Sequence, residues 1–161
     1  MSTNNSPEKA LTVAEERIKE LAEEWGLGKV KLKDIVGLSP DELYAISAQG
    51  YHFFLQGKSE RAQVIFEGLA ALDPTNAYYH RALGAVYWKQ KDPTKALKQF
   101  GYAIRIAPKD ASSYVNRAEV FVATKQFAEA KADLTKVLAL VTPSQEAIQQ
   151  KAKAILQMIT A

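Results

Sequence analysis

The sequence predicts an all-α chain built from three consecutive helix-turn-helix units stacked on one another, and three observations carry this. The 161 residues are self-similar at a spacing of 34, and no insertion breaks the period. Small and bulky apolar residues recur in register at that spacing: Gly50, Gly84 and Ala118; Phe53, Tyr87 and Phe121; Ala62, Ala96 and Ala130; Phe66, Phe100 and Leu134; Leu69, Ala103 and Val137. Pro74 and Pro108 close two units and Thr142-Pro143 closes the third nearly in step, as proline does where a helical hydrogen-bond ladder stops. The units run 43–76, 77–110 and 111–144. An N-terminal helical extension (1–42) precedes them and a C-terminal capping helix (145–161) follows.

In chain order, Ser6-Pro7-Glu8 opens a helix that should reach about Trp25 and stop at Gly26. Its apolar residues Leu11, Ala14, Ile18, Leu21 and Trp25 form a seam spaced alternately three and four apart. That seam packs either on the chain's own first repeat or on a second subunit. Leu32, Ile35 and Val36 then suggest one or two helical turns ending at Gly37. Ser39-Pro40-Asp41-Glu42 supplies an N-cap, an N1 proline and a capping-box glutamate in one run. Helices are expected over 40–56, 59–72, 77–90, 93–106, 111–124 and 127–140. Small residues at 50, 84 and 118 and at 62, 96 and 130 let the two helices of each unit approach closely. Thr142-Pro143-Ser144-Gln145 repeats the capping grammar and opens a last helix, about 143–159. Its face of Ile148, Ala152, Ile155 and Ile159 covers the open end of the stack, since a repeat buries its apolar face only against neighbours.

Composition removes most catalytic chemistry. There are no cysteines, so disulfides, thiolate metal sites and cysteine nucleophiles are excluded together. The two histidines, His52 and His80, lie 28 positions apart. His52 reads as an exposed helix residue and His80 as packing. The carboxylate pairs Glu129/Asp133 and Asp41/Glu42 read as solvated helix faces, so no catalytic residue, metal or cofactor is expected. The net charge of +3 has no like-charged block, which argues against nucleic-acid binding. The longest apolar run, Val137 to Val141, is far short of the roughly 20 residues of a membrane span. The first residues lack a basic stretch followed by an apolar run, so no secretory signal is expected.

The pattern resembles the tetratricopeptide repeat. The middle unit carries its signature most fully, in His80, Leu83-Gly84, Tyr87, Ala96, Phe100 and Pro108. The third unit varies it as Tyr114, Arg117-Ala118, Phe121, Ala130, Leu134 and Val137. The resemblance implies a right-handed superhelical stack whose first helices line a concave face. Repeat positions 2, 5, 9 and 12 point into that face, which gives Tyr44, Ser47, Tyr51 and Phe54; Tyr78, Arg81, Ala85 and Trp88; and Ser112, Val115, Glu119 and Val122. Asn116 joins them from position 6 of the third unit. Five of those twelve residues are aromatic, against 9% of the chain, which suits a groove for apolar side chains of a peptide. Tyr87 and Phe121, at the position between helices, read as packing. The carboxylate clamp of co-chaperones that hold the acidic tails of heat-shock proteins 70 and 90 is absent. Its positions hold Ser47, Tyr51, Ala82, Ser112 and Asn116, with no cation to pair a terminal carboxylate.

The layout is also similar to the class II translocator chaperones of type III secretion systems, the SycD/LcrH-like proteins. Residues Gly37 to Tyr44, Gly57-Lys58 and Val64 to Asp73 carry the local likeness, within a resemblance covering roughly 30–142. It implies a non-catalytic chaperone of the bacterial cytoplasm that keeps hydrophobic translocator proteins soluble before export. The client segment would be extended and Pro-x-Leu-x-x-Pro-like, received by Tyr44, Ser47, Tyr51, Phe54, Tyr78, Ala85 and Trp88. A homodimer through the N-terminal helix is implied as well. Family members are typically acidic, whereas this chain has a pI near 9.0. A scaffold or adaptor subunit of a fixed assembly is the alternative use of the same fold.

Overall fold

The computed structural model describes residues 29–160 together with Glu20, Glu24 and Leu27, and all regular structure among them is helical. The seam Leu11, Ala14, Ile18, Leu21 and Trp25 lies outside the described residues. Among the described residues from 29 on, eight α-helices follow in order: α1 (Leu32–Val36), α2 (Pro40–Leu55), α3 (Ser59–Leu72), α4 (Ala77–Lys89), α5 (Pro93–Ile106), α6 (Ala111–Ala123), α7 (Phe127–Leu140) and α8 (Glu146–Thr160). A single 3-10 turn, Pro143–Gln145, introduces α8, so the last helix begins three residues later than Pro143 suggests.

Helix starts are fixed by short polar side chains that satisfy backbone N–H groups which the helix itself cannot. At α2, Ser39 Oγ accepts from the Glu42 amide at 3.2 Å and Glu42 Oε2 accepts from the Ser39 amide at 2.8 Å. These bonds, backbone first, hold the Glu42 carboxyl below its ordinary range. Asn76, Asp92 and Asp110 cap α4, α5 and α6 in the same manner. Each pair turns between its helices on one residue with positive φ: Gly57 at 76°, Lys91 at 65° and Lys125 at 61°. Two of these left-handed positions carry a Cβ, which costs roughly 1–2 kcal/mol each. Lys125→Gly at the exposed third turn should therefore raise stability by about 1 kcal/mol, read as a higher midpoint in urea with an unchanged slope.

Consecutive helices pack along the whole array, and α8 lies on both α6 and α7, in the place a further repeat would occupy. The residues that recur at 34 are the ones that close the core: Ala62, Ala96 and Ala130 are fully buried, as are Phe66, Phe100 and Leu134 one turn on. Leu69, Ala103 and Val137 complete the rows. One cluster gathers around Phe66, Leu83 and Phe100; a second joins Tyr114, Leu134 and Val137 to Ala152 of α8. Ile148, Ile155 and Ile159 flank Ala152, so the apolar face of the last helix is the one that packs.

The polar residues depart from the sequence reading in one place. Asp133 is not on a solvated face: it is buried and takes a two-bonded ion pair from Arg117, 2.7 Å to each oxygen. That hydrogen-bonded carboxylate raises the guanidinium's pKa further. Arg117 and Asp133 stand one repeat after Leu83 and Gln99, so a charged pair here bridges α6 and α7. His80 is half-buried, its ring against Tyr102, with Nε2 donating to Pro74 O at 2.9 Å and Nδ1 2.9 Å from Gln99. His52 is exposed, with its ring nitrogen bonded to Gln56, the C-cap of its own helix. Tyr87 packs in the core as expected, and burial together with its hydrogen bond to Glu67 pushes its hydroxyl to about 12.

An ion-pair staple joins α1 to the end of α3. Asp73 accepts from Lys31 at 2.8 Å and Lys33 at 2.7 Å, and from the Thr75 hydroxyl at 2.9 Å. Burial alone would raise its pKa, but those donors outweigh it and hold the carboxyl at about 2. Because the folded value lies below the ordinary one, the stabilisation is complete above about pH 4 and disappears as pH falls toward 2. Screening of the half-exposed lysines limits it to about 1 kcal/mol. Acid unfolding should thus show a loss over pH 4–2 that is diminished in Asp73→Asn.

Candidate peptide-binding groove

The first helices of the three pairs, α2, α4 and α6, leave a row of side chains that the core does not use. A helix residue can face the core only every third or fourth position. In α2 that stripe is Leu43, Ser47 and Gly50, while Tyr44 and Tyr51 stay 75% and 51% exposed. Tyr78 at the start of α4 is 39% exposed, and Phe54 and Trp88 are half-buried.

These residues wall three adjoining cavities. The first, about 630 Å³, lies between α1, α2 and the start of α4, with Tyr44, Ser47, Tyr51 and Tyr78 on its wall beside Lys33 and Asp73. The second, about 200 Å³, is bounded by Tyr51, Phe54, Tyr78, Arg81, Ala85 and Asn116. The third, about 500 Å³, runs on through Phe54, Ala85, Trp88, Lys89, Lys91 and Glu119. Tyr51 and Tyr78 separate the first from the second, and Phe54, Ala85 and Asn116 separate the second from the third. Sharing walls, the three cavities make one continuous groove across the helix pairs.

Ring contacts keep the aromatic walls in place. Tyr51 and Phe54 stack at 6.4 Å, Phe66 meets Tyr78 edge-on at 6.2 Å, and Tyr78 meets Tyr79 likewise at 6.0 Å. Cations cover two of the rings, Arg81 over Tyr78 at 5.6 Å and Lys89 over Phe54 at 4.5 Å. Arg81 is itself tied to Asp110 at 2.6 Å, and Asp110 also caps α6, so the guanidinium is anchored from the next repeat. Burial raises the Tyr78 hydroxyl above its ordinary value, with Arg81 opposing.

Ten of the thirteen groove candidates line a cavity, namely all but Ser112, Val115 and Val122. Val115 is buried in the second core cluster, where the sixth helix turns it toward Leu134 and α8 instead of the groove. Val122 and Ser112 are half-buried and lie outside the three cavities. Ser47 lines the first cavity but is itself buried, its hydroxyl donating to Tyr44 O at 2.8 Å, so it offers floor and no free donor. The charged wall residues Lys33, Asp73, Lys89 and Lys91 were not anticipated. Lys89 directly follows the last concave aromatic, Trp88, with Lys91 two residues further on, and that nearness was their one signal. Among the described residues no group of three or more His, Asp or Glu is placed to hold a metal, and no helix is long and apolar enough to cross a membrane.

Two segments, 77–110 and 111–140, match models of the tetratricopeptide repeat. The chain is 30% identical over 98 residues to the chaperone protein SicA of Salmonella typhimurium, an alignment that covers 61% of this chain. It spans 59% of the length of that curated relative. Among solved structures it is similar to PcrH of Pseudomonas aeruginosa, crystallised with the chaperone-binding region of PopD, at 28% identity and a TM-score of 0.73. That superposition covers 77% of this chain and 95% of PcrH. The type III secretion translocator chaperone SycD of Yersinia enterocolitica shares the fold, with a TM-score of 0.77 at 20% identity, covering 80% of this chain and 98% of SycD.

Proposed function

We propose that this tetratricopeptide-repeat chain, similar to the class II translocator chaperones of type III secretion, binds an extended apolar segment of a hydrophobic translocator in its groove. The segment's host protein is thereby kept soluble and unassembled in the bacterial cytoplasm until export. The single observation that carries the reading is the unbroken aromatic groove from Tyr44 to Trp88, walled by rings that the core leaves exposed. An extended client suits it, because a segment without internal hydrogen bonds can drop side chains into successive cavities and loses little conformational freedom if prolines stiffen it. PcrH, the relative crystallised with a segment of PopD, supports the same use of the fold. The function requires no catalysis: the work is exclusion of water from apolar side chains that would otherwise drive aggregation.

Co-expression tests this reading. With the chaperone present, a translocator from the same secretion locus should move into the soluble fraction and co-purify with it. A translocator that stays insoluble with and without this chain rejects the proposal. A homodimer through the N-terminal segment, as the likeness implies, belongs to the same proposal and is read from the mass of the purified chain with and without residues 1–28.

A further inference from the structure

The groove is unevenly charged along its length, and we infer that its far end takes carboxylates. The client segment then lays apolar side chains between Tyr51 and Tyr78 and carries acidic residues where it passes Trp88. This rests on the groove reading above and adds the chemistry of the segment.

At the near end the charges cancel. Lys31 and Lys33 stand against Asp73, which holds both, and Asp34 on the same cavity wall, and Arg81 is paired with Asp110. At the third cavity Lys89 and Lys91 share the wall with Glu119. Lys151 reaches across from α8 to that same Glu119 at 2.8 Å. Three cations therefore stand against one carboxylate. Lys89 donates to Phe54 O at 2.8 Å, which uses one of the three protons of its ammonium. Lys91 forms no ion pair among the described residues, although its backbone is held at a φ of 65° on the cavity wall. The Glu119–Lys151 pair is 36% and 44% exposed, so it contributes little to stability and can be exchanged for a pair with a client at little cost.

Because Phe54 and Ala85 belong to both the second and third cavities, acidic and apolar anchors would sit on one continuous segment. Lys89 ends α4, Lys91 lies in the turn after it and Lys151 stands on α8, none of them at the concave positions of a terminal-carboxylate clamp. They suit side-chain carboxylates beside apolar anchors, and they steer association as well as holding it.

Fluorescence anisotropy with the full chain and three labelled peptides tests this. Each peptide has the same Pro-x-Leu-x-x-Pro core, flanked by aspartates at its N-terminal end, aspartates at its C-terminal end, or asparagines at both. One of the aspartate peptides should bind about fivefold more tightly than the asparagine peptide at low salt. That advantage should disappear in Lys91→Gln/Lys151→Gln, while the asparagine peptide binds the variant as it binds the wild type, which also reports an intact fold. Equal affinity for all three peptides, or equal weakening of all three in the variant, overturns the inference and leaves the groove standing. Failure of every peptide to bind the wild type overturns the groove reading and this inference with it.

Discussion

Gly84→Ala should destabilise the protein by about 2 kcal/mol, although alanine is the better helix former, and Phe100→Leu in the same chain should recover most of the loss. A Cβ on Gly84 would come within 2.7 and 2.8 Å of ring carbons of Phe100. That ring is 1% exposed and belongs to the larger core cluster, so displacing it costs packing. The first pair repeats the geometry, with a Cβ on Gly50 meeting Ile65 at 2.8 Å and Phe66 at 3.0 Å. The third pair solves the same crossing differently: Ala118 stands at the glycine position and Leu134 at the phenylalanine position, both fully buried. Glycine with phenylalanine and alanine with leucine are two fillings of one volume. Mixing them overpacks the crossing, and restoring the match relieves it. Urea denaturation of the two single variants and the double variant gives the coupling directly. Additive effects would show that the helices separate freely at this crossing.

Tyr51→Ala with Trp88→Ala should weaken the binding of a translocator segment by about a thousandfold, since large aromatic anchors each contribute around 2 kcal/mol at such sites. Tyr51 divides the first cavity from the second, and Trp88 walls the third. Removing both opens the groove at two points without touching its floor residues Ser47 and Phe66. Tyr51 is half-exposed, so its loss costs the fold little, whereas Trp88 also packs against the first core cluster. Thermal unfolding of each single variant therefore accompanies the titration, and the binding loss is read on protein that is folded at the temperature used. Unchanged affinity in the folded double variant would place the client elsewhere.

The helices were legible in the sequence because a 34-residue period constrains each one three times over. The expected ends of α2, α4 and α6 differ from the observed ones by a single residue, at Leu55, Lys89 and Ala123. The groove's aromatics were legible for the same reason, through the repeat register. What the register does not contain are contacts made across it. The Asp73 staple joins residues 40 positions away in a segment that does not repeat, and Lys151 reaches the groove from the capping helix. Arg117 and Asp133 occupy places where the preceding repeat has Leu83 and Gln99, so each alone reads as an exposed charge and only the pair explains burial. Val115 shows the converse. Its register position is concave, but α8 packing on α6 extends the core there and takes the side chain in. The turn residues left a trace in the sequence, since Gly57, Lys91 and Lys125 are themselves 34 apart, but lysine hides a requirement that glycine announces.

Site-specific photo-crosslinking most directly tests whether the client lies in the groove. A photoreactive phenylalanine analogue placed at Tyr44, 75% exposed on the groove wall, is compared with the same analogue at Val64, 70% exposed on α3 and outside all three cavities. Both positions are equally open to solvent, so a difference between them reports location. Co-expressed with its translocator, the chain should crosslink to the client from position 44 and not from position 64. Crosslinking from 64 alone would contradict the account and assign the partner to the opposite face of the repeat, as for a scaffold subunit.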